Sequence, residues 1–434
     1  MIERPRGGER AILVNVTLAA PAAPCDREEF AELAVSAGVD TVGSLDAKRA
    51  RPDPKYFLGL GKAQELKELV VAHGAEVVLF DRALSPGQER NLEGLVECRV
   101  LDRPGVILDI FAQRARSFEG QLQVEMAQLQ HLSTRLIRGW THLERQRGGI
   151  GLRGPGETQL ETDRRLIGLR IKQLFERLEK LRRQRQQGGR ARRRAALSVT
   201  ALVGYTNAGK STLFNRLTAS DSYAADQLFA TLDTTLRRMS VPGEYPVLLS
   251  DTVGFIRDLP PDLVAAFQAT LEETREATLL LHVLDSGAED LAAKRSEVLG
   301  VLARIGAGDQ PVLEVHNKID LHPGLEPRID RGERGEPVAV WVSARTGAGL
   351  DLLRVAVAER LDATKINRIV DLAPAQGRLR AQVYALGAVL AELPLEEGGW
   401  RMELTLSAPR WTRLFAEHPA FLAMMAGGEE AAPL

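Results

Sequence analysis

Several residues along this chain have the types and spacing to hold a polyphosphate. Gly204-Tyr205-Thr206-Asn207-Ala208-Gly209-Lys210-Ser211 fits the pattern G-x-x-x-x-G-K-[ST] in full. It lies between an apolar run, residues 197–203, and a helical pattern that starts at Thr212. That strand–loop–helix setting is what gives the pattern meaning. The glycines let the backbone curl so that its N–H groups point at phosphate oxygens. Lys210 can reach the β- and γ-phosphates, and Ser211 can offer its hydroxyl to Mg2+. A plain glycine-rich turn before a helix is the competing reading, and the complete pattern outweighs it.

Three further segments select the nucleotide. Asp251-Thr252-Val253-Gly254 follows the apolar run 247–249. A carboxylate there can hold Mg2+ through water, and the Gly254 N–H can meet a γ-phosphate. Asn317-Lys318-Ile319-Asp320 follows the strand-like run 312–316. The Asp320 carboxylate can accept from both N1–H and the 2-amino group of guanine. Adenine offers neither donor there, and a site built around a hydrogen bond rejects ligands that lack it. The Lys318 stem can lie along the base, and Asn317 can tie this loop to the phosphate loop. Ser343-Ala344-Arg345 comes after a fourth strand-like run and can present backbone to guanine O6. Each segment alone is weak. All four in this order, each at a strand end, specify GTP.

A second Mg2+ ligand is expected from a threonine between the phosphate-loop helix and Asp251. Thr231, Thr234 and Thr235 are the candidates. Thr231 lies about midway, with enough loop on either side to close over a γ-phosphate. Thr234 and Thr235 abut the next strand-like run and have less freedom. After Gly254 stands Phe255, where many related enzymes carry a glutamine that orients the attacking water. Phenylalanine has no polar group for that task, so Phe255 reads as a core anchor and intrinsic hydrolysis as slow. Lys210, Thr231 and Gly254 are then the groups expected to position the transferred phosphoryl group.

These motifs resemble the translation-factor-like GTPases. Within them, neighbouring segments resemble the HflX family of ribosome-associated GTPases. The match includes Phe229-Ala230-Thr231-Leu232-Asp233-Thr234-Thr235, the stretch 251–256, and Gly148-Gly-Ile-Gly-Leu-Arg-Gly-Pro-Gly-Glu-Thr-Gln-Leu-Glu161. It covers residues 11–362 and, more loosely, the remainder. GTPase chemistry does not require the long glycine-rich segment, so it is the part most specific to that family. The resemblance implies a nucleotide site that includes Phe229, Ala230, Thr231, Leu232 and Asp233, and it too favours Thr231 as the Mg2+ ligand. It also implies that the partner is the large ribosomal subunit, with the glycine-rich loop reaching toward the peptidyl-transferase region.

The elements that must position these residues follow from periodicity. The 434 residues imply two to four domains. Between residues 10 and 110, short β-like runs alternate with helical patterns, as in a small α/β domain with a parallel sheet. Gly59-Leu-Gly61-Lys62 there reads as a turn, because it lacks the leading glycine of a phosphate loop. Leu122, Met126, Leu129, Ser133, Leu136, Trp140 and Leu143 recur at four- and three-residue steps, as do Ile167, Ile171, Leu174, Leu178 and Leu181. Two such seams around a Gly/Pro-rich loop predict an antiparallel helical hairpin, with Trp140 in the seam. Its tip carries Arg145, Arg147 and Arg153, which can pair with phosphates. A flexible connector is the plain alternative for the tip, but a connector needs no long stiff arm.

The expected architecture is therefore α/β and multidomain. An N-terminal α/β domain (1–110) leads into the helical hairpin (111–187) and a basic hinge (188–194). A P-loop GTPase domain with a mostly parallel sheet and helices on both faces (195–365) and a small C-terminal α+β domain (366–434) complete it.

Composition narrows the function classes. The net charge of −1 argues against a general nucleic-acid binder. Charge is uneven, however, with thirteen Lys and Arg against four Asp and Glu between Glu161 and Arg194. Beside a glycine-rich loop this favours RNA over a merely solvated helix. Cys25 and Cys98 are too few for a disulfide framework and fit a reducing cytosol. The run 11–20 loosely imitates a signal peptide, but Asn15 interrupts it, and a buried first strand is the better reading. No stretch approaches the roughly 20 apolar residues that span a bilayer. The leading expectation is a monomeric GTPase that uses Mg2+ and acts on ribosomes. A GTP-gated RNA-remodelling or RNA-modifying factor is the alternative, although the cysteines and histidines offer no second catalytic cluster. A signalling switch would leave the arm unexplained.

Overall fold

The structure is a computed structural model. It describes residues 8–18, 27–139, 155–194, 198–218, 228–229, 235–242, 247–257, 273–362, 365–386, 388–395, 398–407, 411, 414 and 418. The N-terminal sheet has the order β2-β1-β3-β4 and is parallel throughout. Its strands are β1 (Arg10–Leu18), β2 (Asp40–Arg49), β3 (Val77–Phe80) and β4 (Arg99–Leu101). The signal-peptide-like run is thus an inner strand, with Ala11 to Val16 all buried. Four helices cover this sheet: α1 (Arg27–Ser36), α2 (Leu60–His73), α3 (Pro86–Val96) and α4 (Arg103–Arg114). Strand alternation divides the core in two. Ile12, Val14, Val78 and Phe80 pack with Leu66, Val70 and Leu92 of α2 and α3. Ala11, Leu13, Val77 and Leu79 face the other way, toward Phe30 and Leu33 of α1 and Ile107 and Phe111 of α4. Gly59 precedes α2 at φ 87 and acts as a turn. A capping box between Ser85 and Gln88 starts α3, and the Asp102 carboxylate caps α4.

Helices α5 (Phe118–Gly139) and α6 (Pro155–Arg194) form the arm. Leu122, Met126 and Leu174 are buried between them, with Leu129, Ile171, Leu178 and Leu181 packed alongside. Arg170 joins Glu125 across the pair at 2.8 Å. Arg135 roots α5 on the N-terminal domain through Asp102 at 3.1 Å and Glu89 at 2.5 Å. The expected hinge at 188–194 is instead the last part of α6. Gly188 and Gly189 each cost roughly 1 kcal/mol in a helix, but extending an existing helix needs no new nucleus. The expected domain edge at 110–111 likewise falls inside α4. Trp140, Leu143 and the tip arginines lie outside the described residues, and so does the side chain of Leu136.

The third unit carries a seven-stranded sheet of order β10-β11-β9-β8-β5-β7-β6. Its strands are β5 (Ser198–Gly204), β6 (Thr235–Met239), β7 (Val247–Asp251), β8 (Leu279–Asp285), β9 (Val312–Asn317), β10 (Arg328–Arg331) and β11 (Pro337–Trp341). The five inner strands are parallel, and β6 and β10 run antiparallel at the edges. Helices α7 (Lys210–Thr218), α8 (Leu291–Arg304) and α9 (Leu350–Asp362) flank it. Leu202 of β5 faces Leu213, Phe214 and Leu353. Ala201 and Val203 face the other way and join the cluster that already holds α1, α4 and the root of the arm.

A last antiparallel sheet, β12-β14-β13, comprises β12 (Lys365–Leu372), β13 (Val389–Pro394) and β14 (Trp400–Ser407), with helix α10 (Gly377–Ala385). The helix expected over 383–390 ends at Ala385, because Val389 pairs with Leu404 in the sheet. Trp411 is 3% exposed in this core and serves packing.

One residue at the centre of the large sheet makes stability depend on pH. His282 of β8 is fully buried, and among the described residues neither ring nitrogen has a hydrogen-bond partner. Burial pushes its pKa down to about 4, against the opposing pull of Glu314. The folded ring stays neutral while the unfolded chain takes up a proton below about 6.5. Stability therefore falls as pH drops from about 6.5 to about 4, by about 3 kcal/mol in all. Glu314, held down to about 2 chiefly by His316, adds its loss only below about 4.5. His282→Leu should raise the melting temperature more at pH 5 than at pH 7.5. Parallel curves for the two proteins between pH 6.5 and 4.5 would assign the pH dependence to other groups.

Candidate guanine-nucleotide site

The four motif segments converge at the carboxyl ends of β5, β7, β9 and β11, where the loops of an open parallel sheet gather. Val203 and Gly204 end β5, and the loop 205–209 turns into α7 with Asn207 at φ 58 and Gly209 at φ 91. A Cβ on Gly209 would lie 2.3 Å from Asn317 Nδ2, so no larger residue fits this turn. Lys210 and Ser211 open α7, where backbone N–H groups and the helix dipole favour an anion. Lys210 is 6% exposed, and its Nζ donates to Tyr205 O at 2.7 Å. Burial pushes its pKa down to about 8, with Asp251 working against that. Phosphate oxygens would compete with the Tyr205 carbonyl for the same ammonium. Within the loop, Thr206 and Ala208 are buried.

Asp251 ends β7 at 3% exposure. Thr252 Oγ1 donates to Leu202 O and Val253 is buried, which anchors the strand end. The Ser211 hydroxyl and the Asp251 carboxylate are hard oxygen donors of the kind Mg2+ takes, so the residues present suit that ion. Gly254 sits against the phosphate loop: a Cβ there would lie 2.9 Å from Thr206 Cγ2 and 3.0 Å from Lys210 Nζ. Phe255 is 2% exposed and packed in the core, where it cannot orient water. Its backbone is fastened to the loop on both sides. Phe255 N donates to Gly204 O at 3.1 Å, and Thr206 N donates to Phe255 O at 2.7 Å.

Asn317 links three of the four segments. Its Nδ2 donates to Ala208 O at 2.9 Å and its Oδ1 accepts from Ala344 N at 2.9 Å. Lys318 takes a left-handed conformation at φ 66, and its Nζ meets Asp285 Oδ2 at 2.9 Å. Ile319 is buried, while Asp320 is exposed and accepts from Ser343 Oγ at 2.6 Å. The same hydroxyl accepts from Thr346 N at 3.1 Å. Arg345 turns outward, and its carbonyl accepts from Arg216 Nη2 at 2.8 Å. Asp320 is thus a carboxylate set beside the Ser343-Ala344-Arg345 backbone, which suits donors on one base edge.

Of the expected closing loop, only Phe229 and Thr235 are among the described residues. Phe229 is buried at φ 56, and Thr235 begins β6. Ala230, Thr231, Leu232, Asp233 and Thr234 lie outside them, as do Arg145, Arg147 and Arg153. The motifs did not point to Asp285, although its place at a strand end in the same row as Asn317 is a signal that could have found it. Nor did they point to Glu29, Ser36, Arg103 and Phe111 of the N-terminal domain, which carry no local signal. These last contact Tyr205, Leu228, Phe229 and Arg257, so the candidate site is walled by another domain.

Comparison with known proteins accords with this geometry. Residues 26–112 match a family model described as GTP-binding GTPase N-terminal, and residues 114–193 match one described as GTP-binding GTPase Middle Region. Residues 199–318 match a model described as 50S ribosome-binding GTPase. The chain is 54% identical over 422 residues to GTPase HflX of Escherichia coli (strain K12), covering 97% of this chain and 99% of that protein. It is 45% identical over 364 residues to GTPase HflX of Caldanaerobacter subterraneus, covering 83% and 82%. To GTPase HflX of Magnetococcus marinus it is 42% identical over 401 residues, covering 90% and 91%. With three family models matched in succession along the chain and relatives 42–54% identical over most of both lengths, the chain belongs to the HflX family of GTPases.

Proposed function

We propose that the chain is a GTP-switched factor of the large ribosomal subunit that splits or rescues stalled ribosomes. In this reading it docks with GTP in the cytoplasm and leaves after hydrolysis. The observation that carries it is the root of the arm: Leu122, Met126 and Leu174 share one hydrophobic cluster with Tyr205, Phe229 and Phe255 at the nucleotide site. From Leu174 at that root back to Pro155, α6 extends about 30 Å toward the tip, enough to probe into a large partner while its base stays beside the phosphate loop. Arg145, Arg147 and Arg153 at the tip supply charge for ribosomal RNA phosphates. The ribosome-binding description of the matching family model supports the partner.

Ser211 and Thr231 are the proposed Mg2+ ligands, with Asp251 acting through water. The ion, when bound, would neutralise charge on the β- and γ-phosphates. Lys210 and the Gly254 N–H position the phosphoryl group. With Phe255 buried, the water-orienting group comes from elsewhere, and hydrolysis by the isolated protein is slow. That accords with a reaction completed on the partner.

Three outcomes test this reading. Asp320→Asn should weaken GTP binding by about a hundredfold, the cost of a charge-assisted hydrogen bond lost. The same variant should gain affinity for xanthosine triphosphate, whose 2-oxo group suits an amide donor. Unchanged GTP affinity in a binding titration would remove Asp320 from the base site. Ser211→Ala and Thr231→Ala should both impair GTP hydrolysis, with Thr231→Ala sparing GDP because that loop closes only on the γ-phosphate. A silent Thr231→Ala beside a crippled Thr234→Ala would move the role to Thr234. Finally, large subunits should stimulate turnover well above the intrinsic rate. Alanine at Arg145, Arg147 and Arg153 together should weaken subunit binding and lower its salt dependence, by up to about three in the log–log slope. Intrinsic turnover should not change. Co-sedimentation and turnover over a salt series read both, and equal binding by the triple variant would reduce the tip to a connector.

A further inference from the structure

The N-terminal domain grips both segments that a GTPase moves between its nucleotide states. Beyond Gly254, Arg257 has both backbone groups held. Its N–H donates to Tyr205 Oη at 2.9 Å, and its carbonyl accepts from Arg103 Nε at 3.3 Å. Tyr205 is the residue after the first glycine of the phosphate loop. Its hydroxyl donates to one Glu29 carboxylate oxygen, while the other accepts from Arg103 Nη2. Tyr205 and Glu29 are each 8% exposed and Arg103 is 2% exposed. The tyrosine is kept a proton donor because burial, and then the Glu29 charge, raise its pKa. At the far end of α1, Ser36 Oγ accepts from Leu228 N at 3.2 Å. Beside it the Phe111 ring of α4 meets the Phe229 ring at 4.6 Å between centroids. Leu228 and Phe229 lead directly into the candidate threonines. Glu29 and Ser36 are two helical turns apart and share one face of α1.

We propose that Tyr205 is a positioning residue that fastens switch II, the segment 254–257, to the N-terminal domain, and that α1 thereby reads which guanine nucleotide the loop holds. A Cβ placed on Gly254 would lie 3.0 Å from Lys210 Nζ and 2.9 Å from Thr206 Cγ2, so this glycine is seated against the loop where a γ-phosphoryl group would come. The Thr206 N–H is engaged by the Phe255 carbonyl. A γ-phosphoryl group that engages the Gly254 N–H shifts this segment, and the shift draws the Arg257 N–H off Tyr205 and disturbs the bonds to Glu29 and Arg103. GDP makes no such demand on Gly254. Linkage then works in both directions: whatever moves α1, including a partner that holds the arm, changes the preference between GTP and GDP.

The proposal rests on guanine-nucleotide binding at this loop, so binding of both nucleotides by the unaltered full-length protein is the control. Failure of that control would remove the underlying reading rather than the coupling. Amide hydrogen exchange over residues 27–36 is compared with GDP and with a non-hydrolysable GTP analogue, and both affinities are titrated. In the unaltered protein, exchange in α1 should differ between the two nucleotides. Tyr205→Phe should abolish that difference and raise the ratio of analogue to GDP affinity about fivefold or more. Ser36→Ala, which cuts the hold on the other segment, should raise the ratio in the same direction. It carries the test if Tyr205→Phe is too unstable to purify. Identical α1 exchange in the two nucleotide states of the unaltered protein would overturn the proposal. So would an unchanged ratio in both variants, or equal weakening of both nucleotides in Tyr205→Phe, which marks packing alone.

Discussion

A buried ion pair between Arg103 and Glu29 is the constraint around which two domains are arranged. Charges taken out of water cost several kcal/mol each unless paired and fully hydrogen-bonded. Here the bonding of the pair continues across the domain boundary. Glu29 accepts from the Tyr205 hydroxyl, and Arg103 donates to the Arg257 carbonyl, both of which belong to the GTPase domain. The polar network is ringed by one apolar cluster that runs from Phe30 and Ile107 to Val203, Phe255 and Ile256. The apolar ring supplies the adhesion, while the ion pair admits only a narrow range of orientations.

The nucleotide site depends on a similar economy of polar groups. Asn317 uses both ends of its carboxamide within the protein, on Ala208 O and Ala344 N. It is therefore a brace between the phosphate loop and the base-selecting loops. Asp320 keeps its carboxylate exposed, with Ser343 orienting it from one side. The division of labour is physical. A buried amide with every bond satisfied holds geometry, while an oriented, solvent-facing carboxylate is available to a ligand.

The arm connects these sites to the outside. Its root is pinned by Arg135 to Asp102 and Glu89, and Asp102 also caps α4, the helix that carries Arg103 and Phe111. Force on the arm therefore reaches the helix that touches the switch segments through a few partly buried contacts. A continuous α6, with no break at the two glycines, also makes the stretch between the root and the GTPase domain stiffer than its composition implied.

Much of this molecule was legible in the chain. The phosphate loop, the guanine-selecting segments, the parallel sheets and the two seams of the arm each depend on local spacing. Backbone curl, strand alternation and heptad repeat are written within a few dozen residues. Phe255 could be read as a core residue because its side chain has no polar atom to offer. The edge strand β10, the helical 188–194 segment and the end of α10 were not legible, since neighbouring strands and helix propagation override weak local preference. Least legible were Glu29, Ser36, Arg103 and Phe111. A glutamate in a first helical turn and an arginine after a helix cap look like ordinary surface residues. Only the packing of one domain on another, across 176 residues between Glu29 and Tyr205, makes them a wall of the nucleotide site. Short-range pattern determines which residues can do chemistry, and tertiary contact decides which distant residues govern it, because burial and charge pairing are properties of the folded surface.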